Sequence, residues 1–255
     1  MTSPSDAPVV RLDVYRNDCV VVRRGQPNDM SIDDERGQVA EFSKRSRMRL
    51  AFLVNNTPVE FDSLLTLTYP GRFPQCGLVV KKHLHAILAE LRRQYTGLEY
   101  VWFLEFQQRG APHFHILLNV RLGLHKRERL PQRERVNAAW YRIVGSNEPK
   151  HRQAGINWEN VRLPDGLRHY AVKYMAKMEQ KTVPPAYRNV GRLWGSSWGV
   201  RAKPIATVPA NTMDVLIYLT GWRYQQNVVD SLPKVLYNAS NDVCENLQIV
   251  RCETE

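Results

Sequence analysis

The chain reads as an α+β protein, and three observations carry that reading. Ser63 to Tyr69 alternates polar and apolar residues with period two and stops at Pro70-Gly71, as a strand entering a turn does. Val80, Leu84, Ile87, Leu88, Leu91 and Tyr95 then recur at helical spacing, which predicts a helix over Leu78 to Tyr95 with one apolar stripe. Two further strands follow, Val101 to Gln107 and His113 to Val120, rich in aromatic and branched residues and divided by Arg109-Gly110. Strand, helix, strand, strand lets the helix pack its stripe on one sheet face and leaves the other for a ligand.

Ahead of this core, Val9 to Arg24 holds short apolar runs suited to a strand pair, and Gly25 to Gly37 is polar and turn-rich. Lys44, Arg45, Arg47 and Arg49 crowd into Ser43 to Arg49; a phosphate-contact patch and a solvated face fit that run equally. The chain of 255 residues is long enough for one good core with appendages. We expect an N-terminal extension over 1–60, a central domain over 61–202 and a C-terminal extension over 203–255. A formal charge of +11 implies an anionic partner, with nucleic acid the default. The four cysteines show no paired short spacing, so neither a zinc knuckle nor a disulfide framework is indicated. The opening residues lack a signal-peptide pattern and no apolar run approaches eighteen residues, so no membrane partner and a cytoplasmic location are expected.

The hairpin carries the first chemistry. In an extended strand His113 and His115 point to one face while Phe114 and Ile116 point to the other. Glu105 and Gln107 alternate in the same way against Trp102, Leu104 and Phe106. A three-residue loop, Arg109 to Ala111, would set Gln107 opposite His113 and Glu105 opposite His115, bringing a carboxylate and two imidazoles together as metal ligands. A two-residue loop would put Glu105 on the wrong face. His83 and His85 form the other His-x-His, but on a helix residues two apart diverge, so those two are expected to face solvent rather than share a metal.

Arg121 to Arg135 is the densest basic stretch, and it leads into Val136, Ala139, Trp140 and Ile143 at helical spacing. Lys126, Arg127 and Arg129 are candidates for tracking a DNA backbone, with a solvated face the open alternative. A short strand is expected near Gly155 to Leu163. The helix after Pro164 has Asp165 as a cap, an apolar stripe of Leu167, Ala171, Met175 and Met178, and Tyr170 and Tyr174 one above the other at its border. Lys173 and Lys177 each follow a tyrosine by three. Further on, Arg192 and Trp194 lie in a Gly-Arg-Leu-Trp-Gly run that continues to Trp198; stacking on bases and burial in a closing strand both fit its tryptophans.

Leu65-Thr66-Leu67-Thr68-Tyr69, His113-Phe114-His115 and Tyr170-x-x-x-Tyr174 with its lysines, in that order, resemble the motifs of the HUH endonucleases, specifically the two-tyrosine rolling-circle replication initiators of small single-stranded DNA phages and plasmids. The resemblance spans roughly Ser63 to Gly199. It implies a central antiparallel sheet of about five strands, with helices on one face and the active site on the other. It also implies Mg²⁺ or Mn²⁺ held by His113, His115 and an acidic or polar third ligand, for which Glu105 is the candidate, although Zn²⁺ fits such donors too. Tyr170 and Tyr174 are then nucleophiles that nick single-stranded DNA through a 5′-phosphotyrosine and leave a 3′-hydroxyl primer. Lys173 and Lys177 stabilise phenolate and phosphate. The implied partners are single-stranded or hairpin origin DNA and the host helicase and polymerase. No nucleotide cofactor is needed, and no Gly-x-x-x-x-Gly-Lys-Ser/Thr occurs to indicate a fused helicase. A transposase or relaxase with the same nuclease core and a non-catalytic nucleic-acid-binding module are the alternatives.

Overall fold

A computed structural model describes residues 10–16, 18–23, 38–161, 182–210 and 234–237. They divide between two units. In the smaller, β1 (Val10–Val14) pairs with β2 (Asp18–Arg23) as the apolar runs predicted. With β8 (Ala206–Ala210) and β9 (Lys234–Tyr237) they make an antiparallel sheet in the order β8-β1-β2-β9.

The larger unit holds the expected α+β core. Its sheet has five strands, β3 (Ser63–Thr68), β4 (Tyr100–Phe106), β5 (Pro112–Leu118), β6 (Ile156–Asn160) and β7 (Trp194–Ser196), in the order β6-β3-β5-β4-β7 with every pair antiparallel. Period-two alternation sorts the side chains. Leu65, Leu67, Leu104, Phe106, Phe114, Ile116 and Trp158 turn to one face, where they form a single core with α2 (Gly77–Gln94) and α3 (Lys126–Val144). On α2 the buried residues Val80, Leu84, Ile87, Leu88 and Leu91 follow the predicted stripe. From α3, Val136, Ala139 and Trp140 are buried. That helix starts at Lys126, ten residues before the apolar spacing begins, and runs through Pro131. Its first turns bury no large apolar side chain, so they leave no periodic trace in the sequence. The glycine after it, Gly145, takes a φ of 67° and closes the helix by donating to the Arg142 carbonyl.

The opposite face is divided. A helix from the N-terminal region, α1 (Lys44–Asn56), buries Leu50 and Val54 against Val101, Phe103 and Leu117, while Trp194 donates to the Ser46 hydroxyl at 2.9 Å. Helices therefore pack on both faces, and only one end of the second face is left for the polar residues. The basic run over Ser43 to Arg49 becomes the solvent side of α1, where Lys44, Arg45 and Arg49 are exposed.

The hairpin loop differs from expectation by one position. Phe106 pairs with Pro112, Gln107 N–H donates to the Ala111 carbonyl, and the three loop residues are Gln108 to Gly110. Gly110 supplies the left-handed position at φ 77°, which a residue with a Cβ adopts only with strain. Glu105 consequently lies opposite His113, not His115. Moving a three-residue loop by one residue shifts the pairing by two, so the face on which each side chain stands is unchanged. The other His-x-His needs a second correction. His85 is exposed, but His83 is half-buried, stacked on Tyr69 with its Nδ1 3.1 Å from the tyrosine hydroxyl. A neighbouring strand residue covers it, and helical spacing alone carries no information on that.

Candidate active site

At the hairpin end of the second sheet face, cross-strand pairing assembles a polar cluster. Thr66 lies opposite His115 and Thr68 opposite His113, each with its hydroxyl 3.3 Å from the imidazole Nδ1. The two rings stand edge to face with centroids 4.7 Å apart. His115 is buried and stacks on Phe103 at 4.9 Å, and its Nε2 is 3.3 Å from the Glu105 carboxylate. Sequence reasoning placed Glu105, His113 and His115 on one face, and all three stand there. Among the described residues no three His, Cys, Asp or Glu side chains are yet gathered closely enough to hold a metal ion, since Glu105 and His115 face each other directly.

Burial, with the charges of His115 and Arg109 adding to it, pushes the His113 pKa down to about 4. This imidazole is therefore neutral at pH 7, with a lone pair available to a cation or a proton.

Several supporting residues escaped the sequence. Arg109, in the loop, donates to the Tyr69 carbonyl at 2.6 Å, the Pro70 carbonyl at 2.7 Å and Gln107 Oε1 at 2.9 Å, and lies over the Phe73 ring. It ties the hairpin tip to the exit of β3. With Gln107 Oε1 held by Arg109, the amide nitrogen turns to His113 Nδ1 at 3.5 Å. The Thr68 carbonyl accepts from Trp140 Nε1 and from His151 Nε2, both at 2.9 Å; His151 belongs to the short helix α4 (Pro149–Ala154). Glu148 caps the turn after β3 by accepting from the Gly71 and Arg72 amides, bonds that hold its carboxyl below the usual range. Each contact depends on strand register or loop length, which adjacent letters do not encode. The two threonines were visible, but as ordinary strand formers.

The remaining candidates divide. Tyr170, Lys173, Tyr174 and Lys177 lie outside the described residues. Arg192 is exposed next to Leu193, whose carbonyl accepts from Leu104, so it stands at the hairpin end of the sheet. Its own carbonyl accepts from Lys81 Nζ, which sits 3.8 Å from the Trp102 ring centroid; burial, then the Arg192 charge, lowers the Lys81 pKa to about 7. Trp194 is half-buried and fixed by Ser46, which favours its burial reading. Lys126, Arg127 and Arg129 begin α3, next to Leu122 and Gly123, where Leu122 N–H donates to Asn160 at the far end of β6. They stand at the other end of the sheet from the histidines, on a helix that packs against the other face.

Residues 62–179 match a family model of replication-associated proteins of the ORF2 type. No curated protein and no solved structure matches the chain. The matched stretch begins just before β3 and contains the threonine pair, Glu105, both histidines and both tyrosines. It supports a role in the initiation of DNA replication, and with it DNA as partner. Among the described residues no helix is long and apolar enough to cross a membrane.

Proposed function

We propose that this chain is a rolling-circle replication initiator that nicks and rejoins single-stranded DNA through a tyrosine. The observation that carries the reading is the polar cluster on one sheet face, Glu105, His113 and His115 backed by Thr66 and Thr68, inside a stretch that matches a replication-associated family. Two imidazoles and a carboxylate suit a divalent cation, Mg²⁺ or Mn²⁺, and the neutral state of His113 suits ligation. Thr66 and Thr68 can each accept an Nδ1–H, which turns the Nε2 lone pair of each ring outward. The chemistry supplied by a cation there is Lewis-acid polarisation of a phosphate oxygen.

Tyr170 or Tyr174 is the nucleophile. A phenol with a pKa of about 10 is ionised in roughly one molecule per thousand at pH 7, so it needs activation, which Lys173 and Lys177 provide by favouring the charged form. The phenolic oxygen forms a bond to phosphorus as the bond to the 3′-oxygen breaks. The phenol loses its proton and the departing oxygen gains one, leaving a 5′-phosphotyrosine and a 3′-hydroxyl. Energy is conserved in the new ester, so rejoining requires no nucleotide. A second tyrosine allows a second cleavage while the first product is still attached, and a host helicase and polymerase extend the primer.

The test is incubation of 3′-end-labelled, origin-bearing single-stranded DNA with the protein and Mn²⁺. A labelled covalent adduct is expected, reduced in Tyr170→Phe and in Tyr174→Phe and lost in the double variant, with mass spectrometry locating the modified peptide. Undiminished adduct in the double variant would exclude these nucleophiles, and its loss in one single variant would leave one tyrosine acting alone.

A further inference from the structure

The end of the sheet remote from the histidines carries an exposed aromatic that the proposed chemistry does not use. Trp198 is 76 % exposed, the largest apolar side chain so placed among the described residues. Its surroundings are fixed. Ser197 N–H donates to the Tyr100 carbonyl at 3.0 Å, and the Ser197 hydroxyl accepts from Tyr100 N–H at 2.8 Å and donates to Glu99. A Cβ on Gly199 would run into the Glu99 carboxylate, so the backbone is seated tightly there. Val200 is fully buried, anchoring the one-turn 3-10 helix Trp198–Val200 from below. The indole is thus projected into solvent from a rigid mount while its neighbours on either side are held.

Arg201 stacks on that indole, its guanidinium carbon 3.5 Å from the ring centroid. With the guanidinium on one face and most of the ring still exposed, the other face is open to a flat partner. The same end of the sheet is basic. Arg92 and Arg93 are exposed on the last turn of α2, and Arg92 donates to the Tyr100 hydroxyl. Arg121, Lys126 and Arg127 are exposed where β5 gives way to α3. The nearest carboxylate, Glu99, is engaged by Ser197.

We propose that Trp198 and Arg201 form a stacking site for a base of single-stranded DNA, separate from the histidine cluster, that grips the strand beyond the cleavage site. This rests on the strand-transfer reading only for the choice of DNA as occupant. A pre-positioned aromatic beside a guanidinium in a positive field is the arrangement that holds single strands without reading their sequence. The spacing gives it a length requirement. From Tyr100 to Glu105 the strand β4 rises about 17 Å, so a DNA strand at the histidines reaches Trp198 only after on the order of five nucleotides at about 3.4 Å each.

The experiment measures binding of fluorescein-labelled dT20 by anisotropy to the full chain, with Trp198→Ala, Trp198→Phe and Arg201→Gln alongside. Trp198→Ala is expected to weaken binding roughly tenfold and Trp198→Phe to retain most of the affinity. Arg201→Gln is expected to lower the salt slope by about one. Thermal melting checks that the exposed substitutions leave the fold intact. Unchanged dT20 affinity in Trp198→Ala overturns the proposal, as does a variant that loses self-association and keeps its DNA affinity, since the tryptophan then serves a protein contact. If Trp198→Ala loses dT20 binding while no DNA yields a covalent adduct, the stacking site stands and the strand-transfer reading falls. If adducts form and Trp198→Ala binds normally, the reverse holds.

Discussion

The two faces of the central sheet share one backbone and have different tasks. On the α2 and α3 face, Leu65, Leu67, Leu104, Phe114 and Ile116 are buried in a continuous core. On the other face the same strands present Thr66, Thr68, Glu105, His113 and His115 at one end, with Phe103 and Val101 beneath α1 at the other. Alternate residues of a single strand therefore answer to different constraints. The first face requires volume without voids, whereas the second requires named atoms at named positions. Damage on the first should cost stability and spare chemistry per folded molecule; damage on the second should do the opposite.

The largest expected effect is on chemistry. His113→Ala combined with His115→Ala should reduce adduct formation to background while leaving most DNA affinity, which rests on phosphate contacts. A gel assay read beside an anisotropy titration checks both halves. On the core face, Leu84→Ala empties a fully buried site on α2 and should cost about 2–5 kcal/mol by urea unfolding, with the adduct yield per folded molecule unchanged. Loss of activity without loss of stability there would collapse the distinction between the faces.

Smaller effects refine it. Thr66→Val and Thr68→Val keep strand shape but remove the hydroxyl beside each Nδ1, and should weaken Mn²⁺ activation by roughly 10–100-fold in a metal titration. Acid should act through His113 in chelator-treated protein. Its folded value of about 4 lies below an unfolded value of about 6.5, so between those pH values the unfolded chain binds the extra proton. The stability gained by keeping it neutral is complete above about pH 6.5 and is lost as pH falls towards 4. Burial lowers His83 and His151 as well, so they add to the loss. The urea midpoint should fall from pH 7.5 to 5, and His113→Gln should flatten the decline. Smallest of all, Ser46→Ala removes the partner of Trp194 and should cost about 1 kcal/mol, with no change in DNA affinity.

Much of the core was legible because its signals are periodic. Two-residue alternation gave β3, β4 and β5 and put Glu105 with the histidines, a conclusion that survived the displaced loop because parity, not register, decides the face. Helical spacing gave α2 almost to its ends. What stayed hidden depends on partners distant in sequence. Arg109 is an ordinary turn residue until the Tyr69 and Pro70 carbonyls lie beside it, and Trp140 and His151 meet only at the Thr68 carbonyl. The helix α1 was read for its charges, because its burial rests on few residues, Leu50 and Val54 foremost, and these make no stripe that outweighs the basic run. Trp194 and Trp198 sit four residues apart and look alike as letters, yet one is pinned to α1 and the other projects to solvent.

Metal-dependent strand transfer at the polar end of the second face can be followed as covalent adduct formation on origin-bearing single-stranded DNA while Mn²⁺ is added to chelator-stripped protein, for the native chain and for His115→Ala. No adduct is expected without metal, with saturable restoration in the native chain and none in His115→Ala at equal DNA occupancy. Equal adduct yields from both proteins in the presence of chelator would show that neither the metal nor His115 takes part.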